Sequence, residues 1–282
     1  MAIDQLTLRQ LTPAIGAEVS DVNLAEPLTE TLSKAIYDAL IEHQVLFFRD
    51  QDITPENHLA FARSFGEPQP PHPVYPSVDR FENIVQLKNG PDNPPDTDGW
   101  HTDLTFQQQP PFASILWAKK VPACGGDTLY LSLASAYERL PEGIRSELRD
   151  MSAVHDLGDF RNAFARNQTD GVAITSAHKE LGSAIHPVVQ THPVSGRQFL
   201  FVNEGFTQHL IGLKATDSNK LLDYLYHHIS QPENQVRFQW TTHAMAIWDN
   251  RCTSHYATAD YFPEQRIMHR INVVNGARIT DR

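Results

Sequence analysis

Cysteine is nearly absent: Cys124 and Cys252 are the only two in 282 residues. A disulfide-stapled scaffold is excluded, and a reducing compartment with two buried thiols is expected. Long apolar runs are missing too, since nowhere do the roughly 18 consecutive apolar residues of a spanning helix occur. Glycine and proline, 14 and 19 residues, are scattered rather than gathered into a linker, and no repeat or low-complexity tract is present. A single domain over residues 1–282 is expected. Positive charge is in short supply, 23 Lys and Arg against 34 Asp and Glu, for a net charge of -11. Such a field repels phosphate backbones and anionic lipid, which argues against nucleic acid or a membrane as partner. Residues 1–13 lack the basic start and apolar stretch of a signal peptide, so a cytoplasmic location is expected.

What is present begins with helices. Leu32, Ala35, Ile36, Ala39 and Leu40 fall on one helical stripe behind a Thr29 cap. A strand over Val45 to Arg49 follows, then a short helix opened by Thr54 and Pro55 and stopped by Gly66. Beyond it the pattern turns to short strands between Pro, Gly, Asn and Asp clusters. They are expected at Asn83 to Leu87, Ile115 to Val121, Thr128 to Leu133, Ile185 to Gln190, Gln198 to Val202, Val236 to Thr241, Ala244 to Asp249 and Arg266 to Val274. Two further helices are expected, Leu133 to Arg149 and one from a Thr216 cap through Ile229. Many short strands with helices packed outside predict an all-β core of sandwich, jelly-roll or barrel type. The polar, weakly periodic segment 158–183 is long for a compact domain and is expected to be a mobile lid.

The chemistry-bearing residues lie in the second class of segment. In Trp100-His101-Thr102-Asp103-Leu104 an extended chain would put His101 and Asp103 on one face, within reach of a single metal ion. A tripeptide this short also arises by chance in a chain with 14 histidines. Its weight comes from Asp249-Asn250-Arg251 and His255, a turn-rich stretch able to return a second imidazole to the pair. Two histidines and one carboxylate form a facial triad that leaves iron open positions for a cosubstrate and O2. In Arg266-Ile267-Met268-His269-Arg270, alternation puts both arginines on one face of a strand. That face is either a solvated basic edge or an interior whose guanidiniums must meet anions.

Together these segments resemble the taurine dioxygenase family of 2-oxoglutarate-dependent oxygenases. The likeness runs through His43-Gln44-Val45-Leu46-Phe47, His72-Pro73-Val74-Tyr75-Pro76, Trp100-His101-Thr102-Asp103, Gly125-Gly126-Asp127-Thr128, Asn203-Glu204-Gly205-Phe206, Trp248-Asp249-Asn250-Arg251, His255-Tyr256-Ala257 and Arg266 to Arg270. The resemblance implies a double-stranded β-helix, or jelly roll, with Fe(II) held by His101, Asp103 and His255. It implies 2-oxoglutarate as cosubstrate, its distal carboxylate on Arg266 and Thr128. Arg270, His72 and the backbone N–H of Leu104 would take the three oxygens of a sulfonate, and Tyr75 and Phe206 would line the pocket, although aromatics also fill cores by default. The implied reaction hydroxylates the carbon bearing the sulfonate, giving an aldehyde and sulfite with succinate and CO2. Dimers or tetramers of identical chains are implied as well.

One departure bears on the substrate. Thr97 stands where taurine dioxygenases carry an asparagine that helps hold the taurine amine, and a threonine offers a single polar atom. The same anchors would serve an alkylsulfatase or an aryloxyalkanoate oxygenase. A jelly-roll protein that binds a metal or an anion without turnover is a reading from another class, and the joint presence of His101, Asp103, His255, Arg266 and Thr128 speaks against it.

Overall fold

The computed structural model describes residues 6–72, 75–95, 99–157 and 182–274. Thr97 and residues 158–181 of the expected lid lie outside them; only Gly182 and Ser183 of that segment are described, Ser183 as the start of a strand.

The chain opens with β1 (Thr7–Gln10) and β2 (Ala17–Ser20), an antiparallel pair. Helix α1 (Glu30–His43) follows, capped by the Thr29 hydroxyl, which accepts from Leu32 N–H, and ended by Gln44 in the left-handed region. After β3 (Val45–Phe48) comes α2 (Pro55–Arg63), where Thr54 and Asn57 form a reciprocal capping box. Then come β4 (Ser77–Val78), β5 (Phe81–Asn89), β6 (Ala113–Lys120) and β7 (Thr128–Ser132). Helices α3 (Leu133–Arg139) and α4 (Glu142–Leu148) lead to β8 (Ser152–Asp156), β9 (Ser183–Pro187), β10 (Val189–Thr191), β11 (Gln198–Leu200) and β12 (Thr207–Leu210). Helix α5 (Ala215–Ile229) precedes β13 (Gln235–Phe238), β14 (Met245–Asp249), β15 (Thr253–Ala257) and β16 (Arg266–Val273).

Eight strands form one sheet in the order β1-β2-β3-β14-β6-β16-β5-β4, and β13-β7-β15 form a smaller antiparallel sheet. The two faces of the large sheet bury different things. Leu46 and Phe48, Ile115 and Trp117, Met245 and Ile247, Ile271 and Val273 pack beneath α1 and α2. Their neighbours Val45, Phe47, Leu116, Ala118, Ala246, Trp248 and Met268 face Tyr130, Val236 and Phe238 of the small sheet. Phe47 stacks on Phe238 at 4.0 Å between ring centroids, closing one end of that second core. Because β3, β6 and β14 are covered on both sides, they read as near-continuous apolar runs rather than alternating ones. Among the described residues no helix is long and apolar enough to cross a membrane.

Several boundaries differ from the sequence expectation. The helix expected from Leu133 to Arg149 is two helices, because Leu140 precedes Pro141 and takes extended backbone angles. Helix α5 starts at Ala215 behind Lys214, which makes no side-chain cap, so Thr216 lies inside it. Helix α2 ends at Ser64 rather than running to Gly66. The strand expected over Ile185 to Gln190 breaks at Val188, and β1, β2, β4, β8, β12 and β15 were not among the expected strands. Cys124 is exposed and Cys252 buried, so the expectation of two buried thiols holds for one.

Buried histidines tie this fold to pH. His58 and His155 are fully buried, and burial, reinforced for each by a neighbouring imidazole, lowers both from 6.5 to about 3. In the unfolded chain these rings take up protons near the ordinary histidine value. Between the two limits the unfolded chain therefore binds more protons, so stability rises with pH and is lost as pH falls below about 6.5. Urea midpoints should be lower at about pH 5 than at about pH 7, and His58→Phe should shrink the difference; an equal difference in the variant would show that His58 does not carry it.

Candidate active site

Between the two sheets the structure brings together residues far apart in sequence. His101 is joined to His255 of β15 by an isolated antiparallel bridge, with His101 N–H on His255 C=O at 3.0 Å and the reverse bond at 2.8 Å. Their imidazoles consequently lie 4.1 Å apart between ring centroids. The expected extended run through Asp103 stops early: after the bridge the chain turns, and Leu104 adopts φ 57. Asp103 nevertheless faces both rings, its Oδ1 3.9 Å from His101 Nε2 and 4.0 Å from His255 Nε2. Those separations are too long for hydrogen bonds and short enough for three donors to share one ion.

The protonation states suit that use. His101 Nδ1 donates to Gly99 C=O at 2.9 Å, so Nε2 is the nitrogen turned toward Asp103. Burial, and then the adjacent His101, push His255 well below the ordinary histidine value and keep it neutral. Burial on its own would raise the Asp103 carboxyl, but the Arg270 guanidinium first, and the Ser114 hydroxyl with it, hold the group well below the usual carboxylate range. Ser114 Oγ holds Oδ2 at 2.8 Å, and Oδ1, which also accepts from Arg270 at 3.1 Å, is the oxygen that faces both imidazoles. Two imidazole nitrogens and one carboxylate oxygen on a common side fit a ferrous ion with positions left open.

A second trio, His192, Asp249 and Cys252, is also close enough to suggest a metal. Its donors are already consumed. Asp249 accepts from Arg251 Nε at 2.8 Å and from His192 Nε2 at 2.9 Å, while His192 Nδ1 accepts from the Ser195 N–H at 3.0 Å. Burial raises the Cys252 thiol well above its ordinary value, which makes a thiolate ligand unfavourable.

Beside the first cluster lies a cavity of about 340 Å³ bordered by Tyr75, Thr128, Trp248, Arg266 and Arg270 together with both imidazoles. Strand β16 aims Arg266, Met268 and Arg270 toward the small sheet, so the solvated-edge alternative is excluded: Arg266 is 5% and Arg270 8% exposed. Arg266 Nε donates to Gly126 C=O at 3.1 Å and its NH2 group reaches Thr128 Oγ1 at 3.4 Å. No carboxylate lies within ion-pair distance of it among the described residues. Thr128 Oγ1 also accepts from Trp240 Nε1 at 2.9 Å, which leaves its own hydrogen to be donated. Gly126 is required here, because φ is +71 and a Cβ would come within 3.2 Å of Arg266 Cδ.

Arg270 reaches Asp103 Oδ1 at 3.1 Å, and its Nε, buried, has no acceptor. Its guanidinium carbon is 6.0 Å from the Tyr75 ring, and His72 lies 4.9 Å from the same ring. His72 Nδ1 accepts from the Tyr75 N–H at 3.2 Å, which puts the ring hydrogen on Nε2. Burial and then Arg270 lower His72 to about 3, so it stays a neutral donor. Leu104 and Phe206 form an apolar wall with Phe106 and Leu157, and Phe206 meets His101 edge-on at 6.5 Å. Gly205 lets that wall approach, since a Cβ there would fall 3.0 Å from His101 Cβ. Sequence reasoning missed Ser114, whose signal was a lone hydroxyl inside the apolar run of β6.

The family model described as taurine catabolism dioxygenase TauD, TfdA family matches residues 7–272. The chain belongs to the TauD, TfdA family of dioxygenases. Among curated relatives, the alkylsulfatase of Acinetobacter baylyi is 36% identical over 274 residues, covering 95% of this chain and 85% of that one. The α-ketoglutarate-dependent sulfate ester dioxygenase of Pseudomonas putida is 35% identical, covering 95% and 89%. A crystal structure of a taurine dioxygenase from Burkholderia xenovorans matches with a TM-score of 0.82 at 33% identity, covering 96% of this chain and 89% of that one. This family member is an enzyme of the Fe(II)- and 2-oxoglutarate-dependent class.

Titration of the metal-free protein with Co(II) or, anaerobically, Fe(II) should show one strong site per chain. His255→Ala should abolish it and Cys252→Ala should leave it intact; loss of the site in Cys252→Ala would move the ion to the second trio.

Proposed function

We propose that His101, Asp103 and His255 hold Fe(II), and that the cavity between the sheets oxidises a small organic anion carrying a sulfonate or sulfate head. The observation that carries this reading is a pair of buried guanidiniums on one strand flanking the ligand trio, one of them without a counterion. A buried cation in that state is costly unless an anion joins it. Arg266 thus calls for an anion of its own, while Arg270, already paired with Asp103, keeps a buried Nε hydrogen for a second.

Arg266 and the Thr128 hydroxyl hold the distal carboxylate of 2-oxoglutarate, with the planar guanidinium offering paired donors. Arg270, the Nε2 hydrogen of His72 and the Leu104 N–H hold the substrate head, while Tyr75 and Phe206 bound its carbon chain. When bound, Fe(II) with 2-oxoglutarate and O2 supplies the two-electron oxidation of a C–H bond, and succinate and CO2 are the coproducts. Trp248 and Leu116 border the cavity and keep water from the reacting carbon. Hydroxylation beside the head group gives an adduct that collapses to an aldehyde and the inorganic anion. The two-sheet arrangement around this cavity is a double-stranded β-helix, and the chain acts as one domain, in the cytoplasm, as a dimer or tetramer of identical chains.

The motif pattern favours a sulfonate of the taurine type, and the taurine dioxygenase fold match supports it. The relatives named alkylsulfatase and sulfate ester dioxygenase favour a sulfate ester. A panel of taurine, longer alkylsulfonates and alkyl sulfates, assayed for 2-oxoglutarate-dependent release, separates the two: sulfite marks the first and sulfate the second. Release of neither would refute the proposal. Anaerobic Fe(II) and 2-oxoglutarate should give a weak visible band that His101→Ala loses. Arg266→Ala should raise the 2-oxoglutarate requirement more than tenfold, a loss of about 2 to 5 kcal/mol, whereas Arg270→Ala should chiefly impair substrate use. The reverse pattern would exchange the two anchors.

A further inference from the structure

The turn Asp249-Asn250-Arg251 lies between β14 and β15, and none of its side chains borders the cavity. All the same, it reaches the ligand trio through its middle residue. Because Leu104 turns at φ 57, Asp103 cannot continue the ladder that His101 makes with His255. Its N–H and C=O are buried with a residue only 3% exposed, and both need partners. The Asn250 carboxamide supplies both. Asn250 Oδ1 accepts from Asp103 N–H at 2.9 Å, and Nδ2 donates to Asp103 C=O at 3.0 Å and to Pro111 C=O at 3.2 Å. One planar group carrying an acceptor and a donor thus replaces a missing strand neighbour, and its orientation is fixed by what the backbone offers.

The mount of this group is rigid. Asn250 is fully buried and its own N–H bonds Phe112 C=O at 2.9 Å. On one side Asp249 is held by Gln44 C=O through its N–H at 2.8 Å, by Arg251 and by His192. On the other, the Arg251 guanidinium lies 4.3 Å from the Phe112 ring. Ser114 then fixes the far end of the Asp103 side chain through Oδ2. We infer that Asn250 is the positioning residue of the metal-binding carboxylate, clamping the Asp103 backbone so that Oδ1 meets the two imidazoles, with Asp249, Arg251 and His192 as its fixed support. The inference rests on the metal site proposed above and adds to it a group that touches neither ion nor substrate. Outer-shell partners of this kind typically govern metal affinity by about 10- to 100-fold.

Asn250→Asp keeps the shape and turns the donor toward Asp103 and Pro111 into a second oxygen. Asn234→Asp makes the same chemical change at another buried carboxamide, which donates to His228 C=O at 3.3 Å and Ile229 C=O at 3.2 Å beside α5. Metal-free proteins are titrated with Co(II), following tryptophan fluorescence, since the Trp248 ring lies 4.8 Å from that of His255. Both variants should unfold at lower temperature, but only Asn250→Asp should bind Co(II) about 10- to 100-fold more weakly. Equal affinity in the two variants overturns the inference. Asp103→Ala separates the levels: if it retains the ion, the metal site itself is wrong, and if it alone loses the ion, only the role of Asn250 falls. Should Asn250→Asp not fold, the unaltered protein still decides. The Asp103 amide should exchange with solvent deuterium as slowly as the amides of β14, and fast exchange overturns the clamp.

Discussion

A carboxylate cannot be buried between two sheets unless its charge is met, and Asp103 is 3% exposed at the centre of this protein. Arg270 and Ser114 meet that charge directly, at 3.1 and 2.8 Å, and two imidazoles face it at about 4 Å. Removing any one partner would leave the others uncompensated in a medium where an unpaired charge costs several kcal/mol. Much of the surrounding architecture follows from that constraint. The bridge between His101 and His255 fixes the rings, the Asn250 carboxamide fixes the Asp103 backbone, and β6 contributes a serine inside an otherwise apolar run.

The same logic extends along β16. Its alternation sends Ile267, His269 and Ile271 away from the cavity and Arg266, Met268 and Arg270 toward it. Two cations with a methionine spacer cannot approach each other, so each must be balanced separately. Arg270 finds Asp103 in the protein itself. Among the described residues Arg266 finds a carbonyl and a hydroxyl and no carboxylate, which is an acceptable arrangement when a further anion completes it. One strand therefore sets two buried guanidiniums beside the cluster of His101, Asp103 and His255, and on the proposed function each would hold one of the two reactants.

The legible features were those that local physics dictates. The Thr29 and Thr54 caps, the strand cores of β3, β6 and β14, and the placing of both arginines on one face of β16 follow from propensity and period, and all are present; which way that face points was left open by the sequence. Ends and breaks were less legible. Pro141 split a helix that periodicity would have continued, and β15 was hidden because Thr253 to Ala257 has little apolar character and is made a strand by pairing with β7. Ser114 could not be recognised as part of the site, and Asn250, although it lies in a motif the sequence singled out, had no readable role, since neither side chain signals its partners until the fold brings them together.

The order and identity of the motif residues by themselves determined the family, the kinds of ligand atom available, and which strand face would carry the arginines, because residue chemistry and side-chain period are properties of the chain. The tertiary structure alone decided that His101 and His255 bridge, that Oδ1 rather than Oδ2 of Asp103 faces them, and that the trio of His192, Asp249 and Cys252 has no donor to spare. Those are questions of distance and of who already holds each lone pair, and hydrogen bonds between residues some 150 positions apart, such as Asn250 on Asp103 with a separation of 147, exist only once the sheets have closed.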